Sequence, residues 1–267
     1  MPYAEVDDQR LYYEERGPAD APALLFSHGL LLDRRMFAPQ VAALADRYRC
    51  ITWDQRGHGR TGEAGGPFTF WDSARDAIGL AQALGAEPVV HVGMSQGGFL
   101  ALRAALLRPE TVRGLVLVDT QARADEQEAA GRYELVMKVW ERYGMVDELA
   151  EGLAVQLFGA DFDEAPTWKR AWAEMRPEPF RLCVQAVLER DDLTDRLDEL
   201  DLPALVVHGE ADAGVEPARG RALADALGAE FLPVPGGSHA ANLTHPEPVN
   251  AAIERFLAAL QAPSGTA

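Results

Sequence analysis

The stretch Pro88-Val89-Val90-His91-Val92-Gly93-Met94-Ser95-Gln96-Gly97-Gly98-Phe99-Leu100-Ala101-Leu102 decides how the chain folds. Its β-branched opening reads as a short buried strand, and the run from 98 to 107 reads as a helix. Residues 93–97 therefore spell G-x-S-x-G at a strand-to-helix corner, the context that gives this pattern its meaning. Turning that corner within one or two positions strains the backbone of Ser95 and leaves no room for flanking side chains, so Gly93 and Gly97 are small for steric reasons. The hydroxyl is left exposed at the carboxyl end of the strand. The following helix aims its free N–H groups and positive dipole end at any oxyanion that forms there. Without chemistry, the same glycines would make only a tight corner.

Outward from this corner, strand and helix signals alternate. Residues 3–16 read as a hairpin with strands at 3–6 and 11–15; 23–27 and 49–54 read as strands, separated by a helix that Asp33 caps and that runs to about 47. A glycine-rich loop covers 55–67, a helix stopped by Gly85 covers 70–84, and 114–118 is a further strand. A strand at 204–207, a helix near 217–227, a strand at 230–234 and a helix at 246–260 complete the series. The alternation predicts an α/β fold with a mostly parallel eight-stranded sheet flanked by helices on both faces. It breaks between Gln121 and Asp201, where only helical segments occur, at about 124–143, 147–158, 165–175, 179–190 and 194–200. An all-helical insert after the sixth strand is expected to lie as a lid over the carboxyl edge of the sheet, where ligands bind in such folds. The expected organisation is a core of 1–120 and 202–267 with a lid of 121–201.

Composition narrows the partners. The chain has 267 residues, 48% of them apolar, and a formal net charge of −17, which argues against nucleic acid and anionic membrane surfaces. The insert alone holds 10 Lys/Arg against 20 Asp/Glu, a net −10. No stretch approaches the roughly 20 apolar residues of a membrane helix, and the first residues have neither the basic start nor the apolar run of a secretory leader. Cys50 and Cys183, far apart in sequence, suit a reduced setting, so a cytoplasmic location is expected. Acidic surface combined with aromatic residues inside the lid favours a neutral, moderately apolar small molecule. Pocket candidates are Met94, Trp140, Phe158, Trp168, Trp172 and Phe180, although most of the insert's large apolar residues should simply pack it onto the core.

A serine hydroxyl becomes a useful nucleophile only when a base takes its proton and a third group fixes the base's tautomer. Candidates for both follow the insert. Asp212 stands in the loop after Val206-Val207-His208-Gly209-Glu210-Ala211, and His239 follows Gly236-Gly237-Ser238. The rival base is His245 and the rival acid Asp119, at the end of the strand before the insert. With His28-Gly29-Leu30 after the third strand, Asp54-Gln55-Arg56-Gly57-His58-Gly59 after the fourth and Gly209-Glu210-Ala211-Asp212 after the seventh, the chain resembles the α/β-hydrolase superfamily. Within it, the similarity is to the lid-bearing group of 3-oxoadipate enol-lactonases, small carboxylesterases and cofactor-free haloperoxidases.

The resemblance implies Ser95 as nucleophile, His239 as base, Asp212 as its orienting acid, and backbone N–H groups of Leu30 and Gln96 as the oxyanion hole. Many relatives have Met where Gln96 stands, a change that leaves the backbone donor in place. It further implies a serine hydrolase acting on an ester or lactone, with no cofactor and no metal. A carbon–carbon bond hydrolase with the same triad and a non-catalytic small-molecule receptor are the alternatives. The sequence is silent on oligomeric state. His28 and His58 read as loop braces, and His91 and His208 as buried strand residues. Residues 57–62 also spell G-x-G-x-x-G, but Gly65-Gly66-Pro67 stands where a dinucleotide-binding helix should open.

Overall fold

The computed structural model describes residues 3–124 and 127–261, with backbone alone for 127–129. The chain begins with β1 (Tyr3–Val6) and β2 (Gln9–Arg16), an antiparallel hairpin. Its turn is only Asp7-Asp8, with Asp7 at φ 49°. β2 therefore starts two residues before the apolar pattern suggests, because Gln9 turns inward and donates to the Ala64 carbonyl at 3.5 Å. β3 (Ala23–Ser27) is buried throughout. Asp33 does cap, accepting from the Arg35 N–H, but the turn it opens is a 3-10 turn over Arg34–Phe37. The helix proper, α1 (Ala38–Leu44), follows with Pro39 in its first turn, where a missing N–H costs nothing.

After β4 (Arg49–Trp53), α2 (Phe70–Ala83) opens with a reciprocal capping box between Thr69 and Asp72. β5 (Val89–Met94) and α3 (Gln96–Leu107) flank Ser95, and β6 (Val112–Val118) follows. Next come α4 (Gln127–Tyr143), α5 (Asp147–Phe158), α6 (Ala165–Glu174), α7 (Pro177–Leu188) and a 3-10 turn over Thr194–Glu199. Among the described residues no strand lies between β6 and β7 (Ala204–Gly209). The start expected near 124 for the first insert helix falls partly on 125–126, outside the described residues. α8 (Pro217–Leu227), β8 (Glu230–Val234), a short α9 (Ala241–Thr244) that the sequence pattern does not reveal, and α10 (Pro246–Gln261) end the chain.

The eight strands form one sheet in the order β1-β2-β4-β3-β5-β6-β7-β8, parallel from β4 onward. Period-two alternation divides its core: Leu24, Phe26, Val116 and Val118 share an apolar cluster with Leu44 and Ile253, while Leu25 joins Leu80 and Leu100, and Leu115 joins Leu223. Helices α1 and α10 thus cover one face, and α2, α3 and α8 the other. Every loop that leaves a parallel strand at its carboxyl end opens on the same rim. Cys50 and Cys183 are both buried and free, and burial pushes each thiol up to about 12. Among the described residues, no helix is long and apolar enough to cross a membrane.

Candidate active site

Ser95 sits between β5 and α3 at φ 51°, ψ −115°, a conformation that a side-chain-bearing residue adopts only under constraint. The constraint is visible. Its N–H donates to the Val118 carbonyl at 2.9 Å, and its carbonyl accepts from the Gly98 N–H at 2.9 Å and the Thr120 hydroxyl at 2.8 Å. The glycines allow this approach: a Cβ on Gly93 would lie 2.3 Å from the Gly97 carbonyl oxygen, and one on Gly97 1.9 Å from that of Ser27.

Residues remote in sequence complete a hydrogen-bonded line. His239 Nε2 stands 3.0 Å from Ser95 Oγ, and His239 Nδ1 stands 2.9 Å from each Asp212 carboxylate oxygen. A carboxylate can only accept, so Nδ1 carries the proton and the Nε2 lone pair faces the hydroxyl. Asp212 also accepts from the N–H groups of Gly214 (2.7 Å) and Val215 (2.9 Å), and His208 Nε2 lies 3.1 Å away. Burial alone would raise the Asp212 carboxyl, but electrostatic attraction to the His239 ring and the hydrogen bonds from His208, His239 and Val215 outweigh it and hold the group well below the usual carboxylate range. Asp212 is therefore ionised at neutral pH.

The rival acid, Asp119, has a different task. It takes φ 47°, is fully buried, and accepts from the N–H groups of Gly209 and Ala241, each at 2.8 Å. One side chain thereby joins the loop carrying Asp212 to the loop carrying His239. Burial, with the charge of Asp212 beside it, pushes the Asp119 carboxyl well up. Asp119, His208 and Asp212 are grouped closely enough to suggest metal ligands. Their carboxylate oxygens, however, already face backbone and imidazole N–H donors, which would oppose a cation. The rival base, His245, meets the Thr244 hydroxyl at 2.9 Å.

Of the expected oxyanion donors, Gln96 is the first residue of α3, where backbone N–H groups lack intrahelical acceptors, and Leu30 shares a chamber with Ser95 and His239. The Gln96 side chain turns away from that chamber toward Gln55 Oε1 at 3.2 Å. His28 orients the Leu30 peptide. Its Nε2 receives the Gln55 N–H at 3.0 Å, so Nδ1 must carry the proton that goes to the Gly29 carbonyl at 2.8 Å. Burial pushes this imidazole down to about 4, which keeps it neutral. A Cβ on Gly29 would meet Met94 Sδ at 2.5 Å, so the loop and the strand end are in contact.

The chamber beside Ser95 is small and mostly apolar, about 90 Å³. Of the expected pocket residues, Met94 and Phe180 line it. Trp168 and Trp172 line a separate, open cleft of about 510 Å³, which shares Leu31 and Phe180 with the chamber as wall residues. Trp140 and Phe158 are buried in the core cluster and line neither. Other chamber residues escaped the sequence reading: Leu31, Tyr133, Val136, Leu153, Val184 and Val215. Tyr133 and Val136 show an i, i+3 spacing that marks one face of α4, but spacing does not say which face meets a ligand. The glycines of 57–62 belong to a loop folded over Asp54, whose carboxylate would meet a Cβ on Gly59 at 2.3 Å and accepts the Arg60 N–H at 2.8 Å.

Known proteins share this fold. A family model described as alpha/beta hydrolase fold matches residues 22–246. 3-Oxoadipate enol-lactonase 2 of Acinetobacter baylyi is 29% identical over 258 residues, 94% of each chain. Among solved structures, an enol-lactonase from Burkholderia xenovorans superposes with a TM-score of 0.88 at 28% identity, covering 96% of this chain and 100% of that one. A thermophilic esterase from Thermogutta terrifontis, solved with malate bound, gives a TM-score of 0.87 at 29% identity and covers 98% of each chain.

Proposed function

Given that the chain belongs to the alpha/beta hydrolase fold family of enzymes, we propose that it is a serine hydrolase that cleaves a carboxylic ester or lactone through an acyl-enzyme on Ser95. The observation that carries this reading is the line Ser95 Oγ–His239 Nε2 at 3.0 Å and His239 Nδ1–Asp212 at 2.9 Å, set on a strained serine. The names of the enol-lactonase and esterase relatives point the same way.

In the first step Ser95 Oγ attacks the substrate carbonyl carbon while His239 Nε2 takes the hydroxyl proton, and Asp212 stabilises the resulting imidazolium. The N–H groups of Leu30 and Gln96 hold the oxygen on which negative charge develops. Collapse expels the alkoxide, which takes the proton from Nε2. For a lactone this alkoxide stays tethered as a hydroxyacyl group. Water, deprotonated by Nε2, then attacks the acyl carbon; the bond from that carbon to Oγ breaks, Oγ recovers the proton from Nε2, and the carboxylic acid leaves.

Residues 121–201 act as the lid and 1–120 with 202–267 as the core. The narrow chamber beside Ser95, lined mostly by apolar side chains, suits a short apolar acyl group, with the leaving group toward the open cleft. Replacement of Ser95 by Ala should lower p-nitrophenyl acetate turnover by about 10⁴-fold or more and abolish fluorophosphonate labelling. Undiminished turnover by folded Ser95→Ala protein would reject the reading.

A further inference from the structure

Two active-site loops are fastened to the helical insert. Leu31, next to the oxyanion donor Leu30, has φ 66°, a left-handed conformation in which its Cβ crowds the backbone. Its carbonyl accepts the indole N–H of Trp172, on α6, at 2.7 Å. Trp172 is fully buried, with its ring stacked on Phe158 of α5 at 6.1 Å and an interplanar angle of 7°. The Gly29–Leu30 peptide is thus held on one side by His28 and, through the next residue, on the other by Trp172. At the opposite end of the site, Leu157 on α5 offers its carbonyl to the hydroxyl of Ser238 at 3.0 Å and the N–H of Ala240 at 2.9 Å, the two neighbours of His239.

We propose that α5 and α6 form a clamp that keeps the oxyanion loop and the base loop in their working conformations, and that Trp172 is the positioning residue for the Leu30 donor. The clamp rests on the hydrolase reading above. Leu31 would leave its left-handed conformation if nothing held its carbonyl, and the Leu30 N–H would turn with it. The part of the insert nearest these loops is therefore a fixed seat, and any motion that admits substrate belongs to its other helices. Because Trp172 acts on a donor needed only when charge develops, its loss should appear in kcat and not in substrate affinity.

Trp172→Phe keeps the stacked ring and removes the donor, leaving a buried carbonyl unpaired. kcat for p-nitrophenyl acetate should fall about tenfold with KM within about twofold, a loss in the range for one unpaired buried group. Inhibition by phenylboronic acid, which forms a tetrahedral adduct with the serine, should weaken by the same factor. Wild-type kcat and boronate affinity in Trp172→Phe would overturn the clamp, as would a loss confined to KM or melting temperature. Leu31→Gly provides the second variant, because glycine takes the left-handed conformation without strain: added to Trp172→Phe it should restore kcat and boronate affinity toward the wild-type values, and no recovery would again overturn the proposal. Ser95→Ala separates the two levels. An inert Ser95→Ala beside an unaffected Trp172→Phe rejects the clamp alone, whereas an active Ser95→Ala rejects the hydrolase reading on which it stands.

Discussion

Acid should unfold this protein from the inside, and three histidines set how steeply its stability falls with pH. His28, His58 and His91 are 0%, 3% and 1% exposed. Burial pushes their imidazoles down from 6.5 to about 4, about 3 and about 3. The native state leaves them neutral, while an unfolded chain protonates them as pH falls through 6.5. The unfolded state then binds more protons, so stability must drop on acidification, with the window running from about 6.5 down toward 4. Between pH 7.5 and 5.5 each group removes about 1.4 kcal/mol, and three remove about 4. That is a large share of the 5–15 kcal/mol typical of a folded protein. Asp119, raised by burial, works in the opposite sense and returns at most one proton. His208 is raised above 6.5, so the native state holds its proton before the unfolded chain does; it opposes the loss above about pH 6 and adds nothing near 5.5, where both states are protonated. Depressed carboxyls such as Asp212 act only below the window.

Urea denaturation followed by tryptophan fluorescence at half-unit intervals should thus show a slope approaching two to three protons near pH 5.5, roughly 3–4 kcal/mol per pH unit. His91→Gln keeps an amide donor near Ser27, which His91 meets at 2.8 Å, and should lower the slope by about one proton. A slope below one proton, or an unchanged slope in His91→Gln, would refute the assignment of acid sensitivity to these buried rings.

Two further outcomes test the site. Asp212→Asn can no longer accept from the imidazole and two backbone N–H groups while stabilising a positive ring, so kcat should fall by about 10⁴-fold with a folded protein by circular dichroism; a loss below about tenfold would deny Asp212 the orienting role. Phe180→Ala removes part of the wall shared by the chamber and the cleft, so the ratio of kcat/KM for p-nitrophenyl octanoate to that for the acetate should rise about tenfold or more, tenfold being the lower end of what one methylene is worth in a pocket. An unchanged chain-length profile would place the limiting wall elsewhere.

Most of the frame was legible because it rests on local rules. Gly93 and Gly97 can flank a serine in that way only at a sharp corner, and the alternation of strands and helices leaves few arrangements for the sheet. The helices of the insert, too, announce themselves by period. Tertiary partners are what local rules cannot supply. Asp119 looks in the sequence like a second acid at a strand end, and only the fold reveals that both its oxygens are engaged by Gly209 and Ala241. His208 reads correctly as buried, yet its approach to Asp212 depends on a turn over 209–212 that no periodicity encodes. Among the aromatic residues of the insert, Trp140 and Phe158 have the same composition signal as Phe180; the direction each takes from its helix decides that, of these three, Phe180 alone reaches the chamber. Gln9 and Phe37 show the reverse limit, where a tight turn and a 3-10 turn shift element starts by a few residues.

Val118, Asp119 and Thr120 hold the backbone of Ser95, the loop of Asp212 and the loop of His239 through consecutive residues. One tripeptide thus serves as the common datum for all three groups, and the next residue is where the insert departs. A displacement of β6 should therefore carry the alcohol, imidazole and carboxylate in the same direction, entering as a common-mode shift that leaves their mutual spacings little changed.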